Sequence, residues 1–222
     1  GTYTLIIEKS AQAALIFAPA APSSIAYRTE AQNIISVTGG SGEGKITYSI
    51  ISGNEYAVID ENTGAVKTLK AGGLFTVQAD KAGDDGYDAA APITVTIYVD
   101  YAEQTDFAFA QADPKNITFN DNNNKFSNTA SGGESTGTVT YAFADAESAK
   151  IAEIDAQSGE ITIFAAGTVT VVATKAGDAC YKEAKARYSL TVERDMPEFS
   201  VDDVSLIYGV REYQVTVNTV LG

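Results

Sequence analysis

The 222-residue chain repeats itself. Gly39-Gly40 and Gly132-Gly133 stand 93 residues apart, as do Tyr48 and Tyr141. Lys81-Ala82-Gly83-Asp84 and Lys175-Ala176-Gly177-Asp178 stand 94 apart, with Tyr87 and Tyr181 at the same spacing. Ile59-Asp60-Glu61-Asn62-Thr63-Gly64 returns 95 residues on as Ile154-Asp155-Ala156-Gln157-Ser158-Gly159. An offset that drifts by so little means two units of one kind, separated by small loop insertions and deletions. Any fold must therefore serve both copies.

Pieces of the same unit flank the two copies. Tyr3-Thr4-Leu5-Ile6-Ile7-Glu8 resembles Tyr188-Ser189-Leu190-Thr191-Val192-Glu193, the close of the second copy. Pro197 to Gly222 resembles an opening, with Phe199 near the place of Phe107 or Phe109 and Val217-Asn218-Thr219 echoing Ser127-Asn128-Thr129. The expected organisation is the last strand of a preceding repeat at 1–9, repeat 1 at 10–100, repeat 2 at 101–194 and the opening strands of a truncated third repeat at 195–222. The chain reads as a window on a longer array.

The period within each copy is two. Apolar and polar residues alternate in Phe75-Thr76-Val77-Gln78-Ala79-Asp80 and over the seven residues Ile93 to Val99. Val169, Val171 and Ala173 keep the same face in the second copy. Such alternation fits strands with one buried face, and the Thr-rich outer face suits a pleated surface. Turn chemistry at Gly39–Gly42, Asp60–Gly64, Gly72-Gly73 and Gly83–Gly86 separates the runs. About seven short strands per copy predict an all-β sandwich, with a helical or 3₁₀ turn at Asp84–Tyr87 and Asp178–Tyr181. The junctions, 100–106 and 193–198, are short and free of Gly/Ser tracts, which predicts domains elongated end to end.

Composition removes several functions. The net charge is −14, which disfavours nucleic acid, since that binding rests on Lys and Arg neutralising phosphates. There is no His and no Trp. No Ser-His-Asp or Cys-His relay and no imidazole ligand for zinc can form, and the indole platform for sugars is missing. Cys180 is the single cysteine; it has no basic partner and reads as a small, partly buried apolar residue. The apolar run Ala11 to Pro22 is too short to cross a membrane and carries prolines, so this segment is expected to have no membrane insertion.

The run Gly167 to Asp178, followed by Tyr181 and Tyr188-Ser189-Leu190-Thr191-Val192, resembles the close of a bacterial Ig-like repeat. Ile154-Asp155-Ala156-Gln157-Ser158-Gly159-Glu160-Ile161 is similar to the Asp-x-x-x-Gly-x-Ile signature shared by bacterial Ig-like and cadherin-like modules. The resemblance covers about residues 10–194. It implies tandem immunoglobulin-like, Greek-key β-sandwich domains of a large bacterial surface adhesin, an extracellular or cell-surface location, and neighbouring repeats of the same parent protein as partners.

Calcium is the candidate cofactor, because hard cations collect Asp and Asn oxygens. Asp84, Asp85 and Asp88 share a loop, and Asp100 and Asp195 sit at equivalent junctions, where Asp195-Met196-Pro197-Glu198-Phe199 faintly resembles a cadherin linker. Against it, the full set of cadherin acidic motifs is missing, and Asp and Asn favour turns on conformational grounds alone. Asn120 to Asn124 is a polar turn without a counterpart in repeat 1. A glycosidase pair would need two carboxyls across a cleft, but Asp60 and Asp155 recur at one turn and read as structure. Recurrence likewise assigns Tyr48 with Tyr141, and Tyr87 with Tyr181, to packing or a corner hydrogen bond. Tyr27, Tyr56, Tyr98 and Tyr101 do not recur and are candidates for an exposed, glycan-contacting patch. Lys81 and Lys175 recur, but no Asn and acid partner for an isopeptide bond is identifiable. No enzyme is expected. Three roles stay open: a structural spacer in an adhesin displaying a distal binding domain, a module binding glycan or a host surface protein through loops or a strand edge, and an accessory module of a secreted hydrolase.

Overall fold

The computed structural model describes residues 1–111, 116–119, 124–195, 198–201, 208–209 and 217–220. They divide into two compact units. The first comprises 1–105 with 133–137 and 176–184; the second comprises 106–132, 138–175 and 185–222. Nearly all regular structure is strand, as the period of two requires.

The first unit runs β1 (Leu15–Phe17), β2 (Ser24–Ala26), β3 (Val37–Gly39), β4 (Ile46–Ser52), β5 (Ala57–Ile59), β6 (Val66–Thr68), β7 (Gly73–Lys81) and β8 (Ile93–Asp100). One sheet has the order β2-β8-β7-β4. Facing it are the pairs β1-β3 and β5-β6, the latter extended by a bridge from Gln32 to Val66. The opening strand is split: β1 pairs antiparallel with β3, whereas β2 crosses to the other sheet and runs parallel to β8, with Ile25 beside Val99. Pro19 and Pro22 lie in the crossing, where no ladder N–H is needed. Phe75, Val77 and Ala79 on β7 and Ile97 and Val99 on β8 are fully buried and pack against Leu15, Val37, Ala57 and Val66 of the opposite layer.

The second unit repeats this plan with β9 (Ala108–Phe109), β10 (Ile117–Phe119), β11 (Lys125–Ser127), β12 (Ala130–Ser131), β13 (Val139–Phe143), β14 (Ala152–Ile154), β15 (Glu160–Ile163), β16 (Gly167–Lys175) and β17 (Ala184–Arg194). Its sheets are β10-β17-β16-β13, β11-β15-β14 and β12-β9. Again the strand after the split, β10, runs parallel to the last one, with Ile117 beside Val192. The bridge at Gln32 has grown here into the strand β11, with Phe126 opposite Ile161. Val169, Val171, Ala173, Leu190 and Val192 fill the core. Beyond it, β18 (Glu198–Val201) and β19 (Val217–Val220) pair antiparallel, with Phe199 opposite Thr219.

Two local expectations are corrected. The only 3₁₀ turn among the described residues is Ser148–Lys150, not Asp84–Tyr87 or Asp178–Tyr181. At the latter sites the aspartate side chain takes the N–H groups that a helical turn would have used, so the backbone bends without winding. The 3₁₀ turn forms where Asp145 accepts from both the N–H and the hydroxyl of Ser148.

The two cores distribute bulk differently. Tyr188, facing inward on β17, stands where repeat 1 has Val95, and its ring meets Phe109 edge-on at 4.5 Å. Its hydroxyl is buried with no hydrogen-bond partner among the described residues, and burial pushes its ionisation far up. An orphaned buried hydroxyl costs about 1–3 kcal/mol of desolvation. Tyr188→Phe should therefore raise stability, by about 1 kcal/mol, in a denaturant titration with an unchanged slope.

Candidate functional site

The recurring polar residues belong to two constructions, each made twice. The first is a turn at the edge of the four-stranded sheet. Asp60 Oδ1 accepts from the Thr63 hydroxyl and from the N–H groups of Thr63 and Asn62, at 2.8–3.0 Å. Asp155 does the same with Ser158 and Gln157. Gly64 and Gly159 close these turns at φ of 70° and 72°, with the rings of Tyr48 and Tyr141 lying against them. The turn then caps the sheet edge: Tyr48 N–H donates to Glu61 O, and Tyr141 N–H to Ala156 O, both at 2.9 Å. The pairing of Asp-x-x-x-Gly with a distant Tyr is thus one structural device. Tyr48 and Tyr141 are buried, and the Tyr141 hydroxyl accepts the N–H of Ala130.

The second construction holds the segment that leads into each repeat, and both copies of it lie within the first unit. Asp84 accepts N–H groups from Glu43, Gly86 and Tyr87 at 2.7–3.0 Å; Asp178 accepts them from Thr136, Cys180 and Tyr181 at 2.8–3.0 Å. The loop so formed grips the incoming chain. Ser10 N–H donates to Gly86 O and Asp88 N–H to Ser10 O, and the matching bonds are Ala102 N–H to Cys180 O and Lys182 N–H to Ala102 O, all 2.9–3.0 Å. Gln12 and Gln104 lock the arrangement. Each amide nitrogen donates to a loop carbonyl, Asp88 O or Lys182 O, at 2.7 Å, and each amide oxygen accepts a backbone N–H, from Ser41 or Ser135, at 3.1 Å. The two glutamines went unread in the sequence, although their 92-residue spacing was the signal that could have found them.

These bonds lower the pKa of all four aspartates. For Asp60 the largest cause is the Thr63 hydroxyl. For Asp84 it is the Glu43 N–H, for Asp155 the Ser158 N–H and for Asp178 the Thr136 N–H. A folded-state pKa below the unfolded one adds stability at pH values above the unfolded pKa, near 4, and that stability is lost as pH falls through the folded pKa. The melting temperature should therefore stay level from pH 7 to about 5 and drop below about 4. Asn at Asp84 and Asp178 together should flatten that drop.

Of the calcium candidates, Asp84, Asp85, Asp88 and Asp100 belong to the first unit and Asp195 to the second. Asp84 is committed to the loop. Asp85 and Asp88 are exposed. Asp100 is half-buried, with its carbonyl accepting the Tyr27 N–H, and Asp195 is exposed. Among the described residues no group of three His, Cys, Asp or Glu side chains is placed to hold a metal ion. Asn120–Asn123 and the Met196-Pro197 of the linker motif lie outside the described residues.

The tyrosine patch is corrected. Of Tyr27, Tyr56, Tyr98 and Tyr101, only Tyr101 is exposed. Tyr56 folds over Gly73, where a Cβ would sit 2.0 Å from its ring, and Tyr27 meets Tyr181 edge-on. Lys81 is buried and donates to Gly44 O at 2.9 Å, and Lys175 donates to Gly132 O at 2.8 Å. Cys180 is a free, half-buried thiol, and its hydrogen bond raises the pKa of Tyr27. An open hollow of about 460 Å³ lies along β4 and β5 between Thr47 and Glu61. Among the described residues no helix is long and apolar enough to cross a membrane.

Among solved structures, the chain is similar to mouse cadherin-23 EC22–24 at 20% identity and a TM-score of 0.34, covering 82% of this chain and 65% of that one. It is also similar to Drosophila N-cadherin EC1–4 at 13% identity and a TM-score of 0.31, covering 93% of this chain and 59% of that one. The chain thus spans less than two thirds of the length of either. No curated protein matches the sequence. Residues 121–177 match the family model of the intimin immunoglobulin-like domain. Part of the second repeat is thus similar to an intimin immunoglobulin-like domain, and the first repeat is built on the same β-sandwich plan.

Proposed function

We propose that the chain is a structural spacer in a bacterial surface adhesin, outside the cell, where it displays a distal binding domain. The observation that carries the reading is the use made of the recurring polar groups. Asp60, Asp84, Asp155, Asp178, Gln12 and Gln104, the residues a site would have drawn on, are spent on holding turns and the chain entering each repeat. The match to an adhesin domain supports the location. A non-enzymatic role is supported by the sequence, which has no His.

The test is a binding screen with the whole chain against a glycan array and host-cell surfaces. The spacer reading expects no saturable binding. Saturable binding abolished by substitutions in either repeat would replace it with the binding-module reading. With the aspartates so committed, the melting temperature should be equal in millimolar calcium and in excess chelator; a rise with calcium would restore Asp85, Asp88, Asp100 and Asp195 as candidate ligands.

A further inference from the structure

The loops Asp84–Tyr87 and Asp178–Tyr181 are built alike, and the outer face of the second is covered within the first unit. Ala71 N–H donates to Ala179 O at 3.0 Å, the Cys180 thiol points to Leu69 O at 3.9 Å, and Tyr181 meets Tyr27 edge-on with centroids 5.5 Å apart. Ala71 is left 1% exposed. Each half of this contact has a counterpart elsewhere in the chain. The residues at the positions of Tyr27, Leu69 and Ala71 in repeat 2 are Phe119, Phe164 and Ala166. Phe164 is 51% exposed. Ala166, unlike Ala71, is only half-buried, and among the described residues its N–H has no backbone acceptor. On the other side, Asp85 and Gly86, at the positions of Ala179 and Cys180, are exposed.

We propose that the loop Asp84–Tyr87 of one copy docks, head to tail, on the seat formed by Phe119, Phe164 and Ala166 of a second copy. The Asp85 carbonyl takes the Ala166 N–H, and Tyr87 faces Phe119, as Ala179 and Tyr181 do with Ala71 and Tyr27. The two surfaces are different patches, so the contact is heterologous and does not close on itself. It is small and opposed by the net charge of −14, so it is weak and strengthens with salt, which screens the repulsion. The inference stands independently of the spacer reading, because a glycan-binding module could carry the same seat.

Sedimentation velocity of the whole chain, up to about 1 mM and at low and high salt, should show concentration-dependent association that increases with salt. Phe164→Asp, at an exposed position, should weaken it at least about tenfold with an unchanged melting temperature. A chain that stays monomeric throughout, or one whose association ignores Phe164→Asp, overturns the proposal. Contact is read directly in a Cys180→Ser background. Gly86→Cys, where a Cβ meets only a side-chain oxygen at 3.9 Å, is mixed with Phe164→Cys under mild oxidation. Heterodimers should form in excess over the statistical share; the statistical mixture overturns the docking.

Discussion

Phe75→Ala should cost the first unit about 3–5 kcal/mol, the range for emptying a buried phenylalanine site. Phe75 is fully buried on β7, opposite Ile97 and flanked by β4 and β8. β8 is paired with β7 over Gly73–Ala79 and β4 over Thr76–Lys81, which restrains the backbone from collapsing into the space. For a unit of about 100 residues, each kcal/mol is worth about 4–8 °C, and the transition should fall by roughly 15–30 °C. Val169 occupies the equivalent place on β16. Val169→Ala removes two carbons and should cost about 2 kcal/mol. Calorimetry on both variants distinguishes the cases. Equal, sub-kilocalorie losses would mean that these positions do not organise the cores.

Gly132→Ala should be comparably severe for a different reason. Gly132 adopts φ of 93°, a backbone state that costs an L-residue of order 1–3 kcal/mol. A Cβ there would also lie 1.9 Å from the Asp106 carbonyl oxygen. That oxygen belongs to the backbone just ahead of β9, so relief requires separating β9 from β12. A loss of about 3 kcal/mol or more is expected in a denaturant titration. Gly39, at φ of 92° with Ala14 O 2.3 Å from the same virtual atom, should behave alike in the first unit. A neutral Gly132→Ala would show that the β9-β12 pair is dispensable.

Much of this was legible in the residues, because repetition encodes constraint. The alternation in 75–80 and 93–99 placed β7 and β8, and Asp60 with Asp155, read as a structural turn, form the hydrogen-bonded turns closed by Gly64 and Gly159. What escaped was non-local. The parallel run of β2 beside β8 joins residues more than 70 positions apart and leaves no periodic mark. The 3₁₀ turn went to Ser148 because Asp145 caps it there, whereas Asp84 and Asp178 spent the same capacity on the bend. Gln12 and Gln104 looked like ordinary solvated residues, since an amide that both donates and accepts shows its role only when two loops meet around it. The orphaned Tyr188 hydroxyl could not be foreseen, because Val95 at the matched place has no polar atom.

The split opening strand has a mechanical consequence. In each repeat the strand near its start, β2 or β10, runs parallel and hydrogen-bonded to the strand at its end, β8 or β17. Tension applied through the chain draws these partners in opposite directions along their common axis. The evenly spaced, slanted bonds of a parallel pair are then strained together, in shear, and none can be peeled away first. Resistance to force is set by the rate of that joint rupture, not by the free energy of unfolding. A repeat of modest equilibrium stability can therefore hold against a pull as long as this one short seam stays closed.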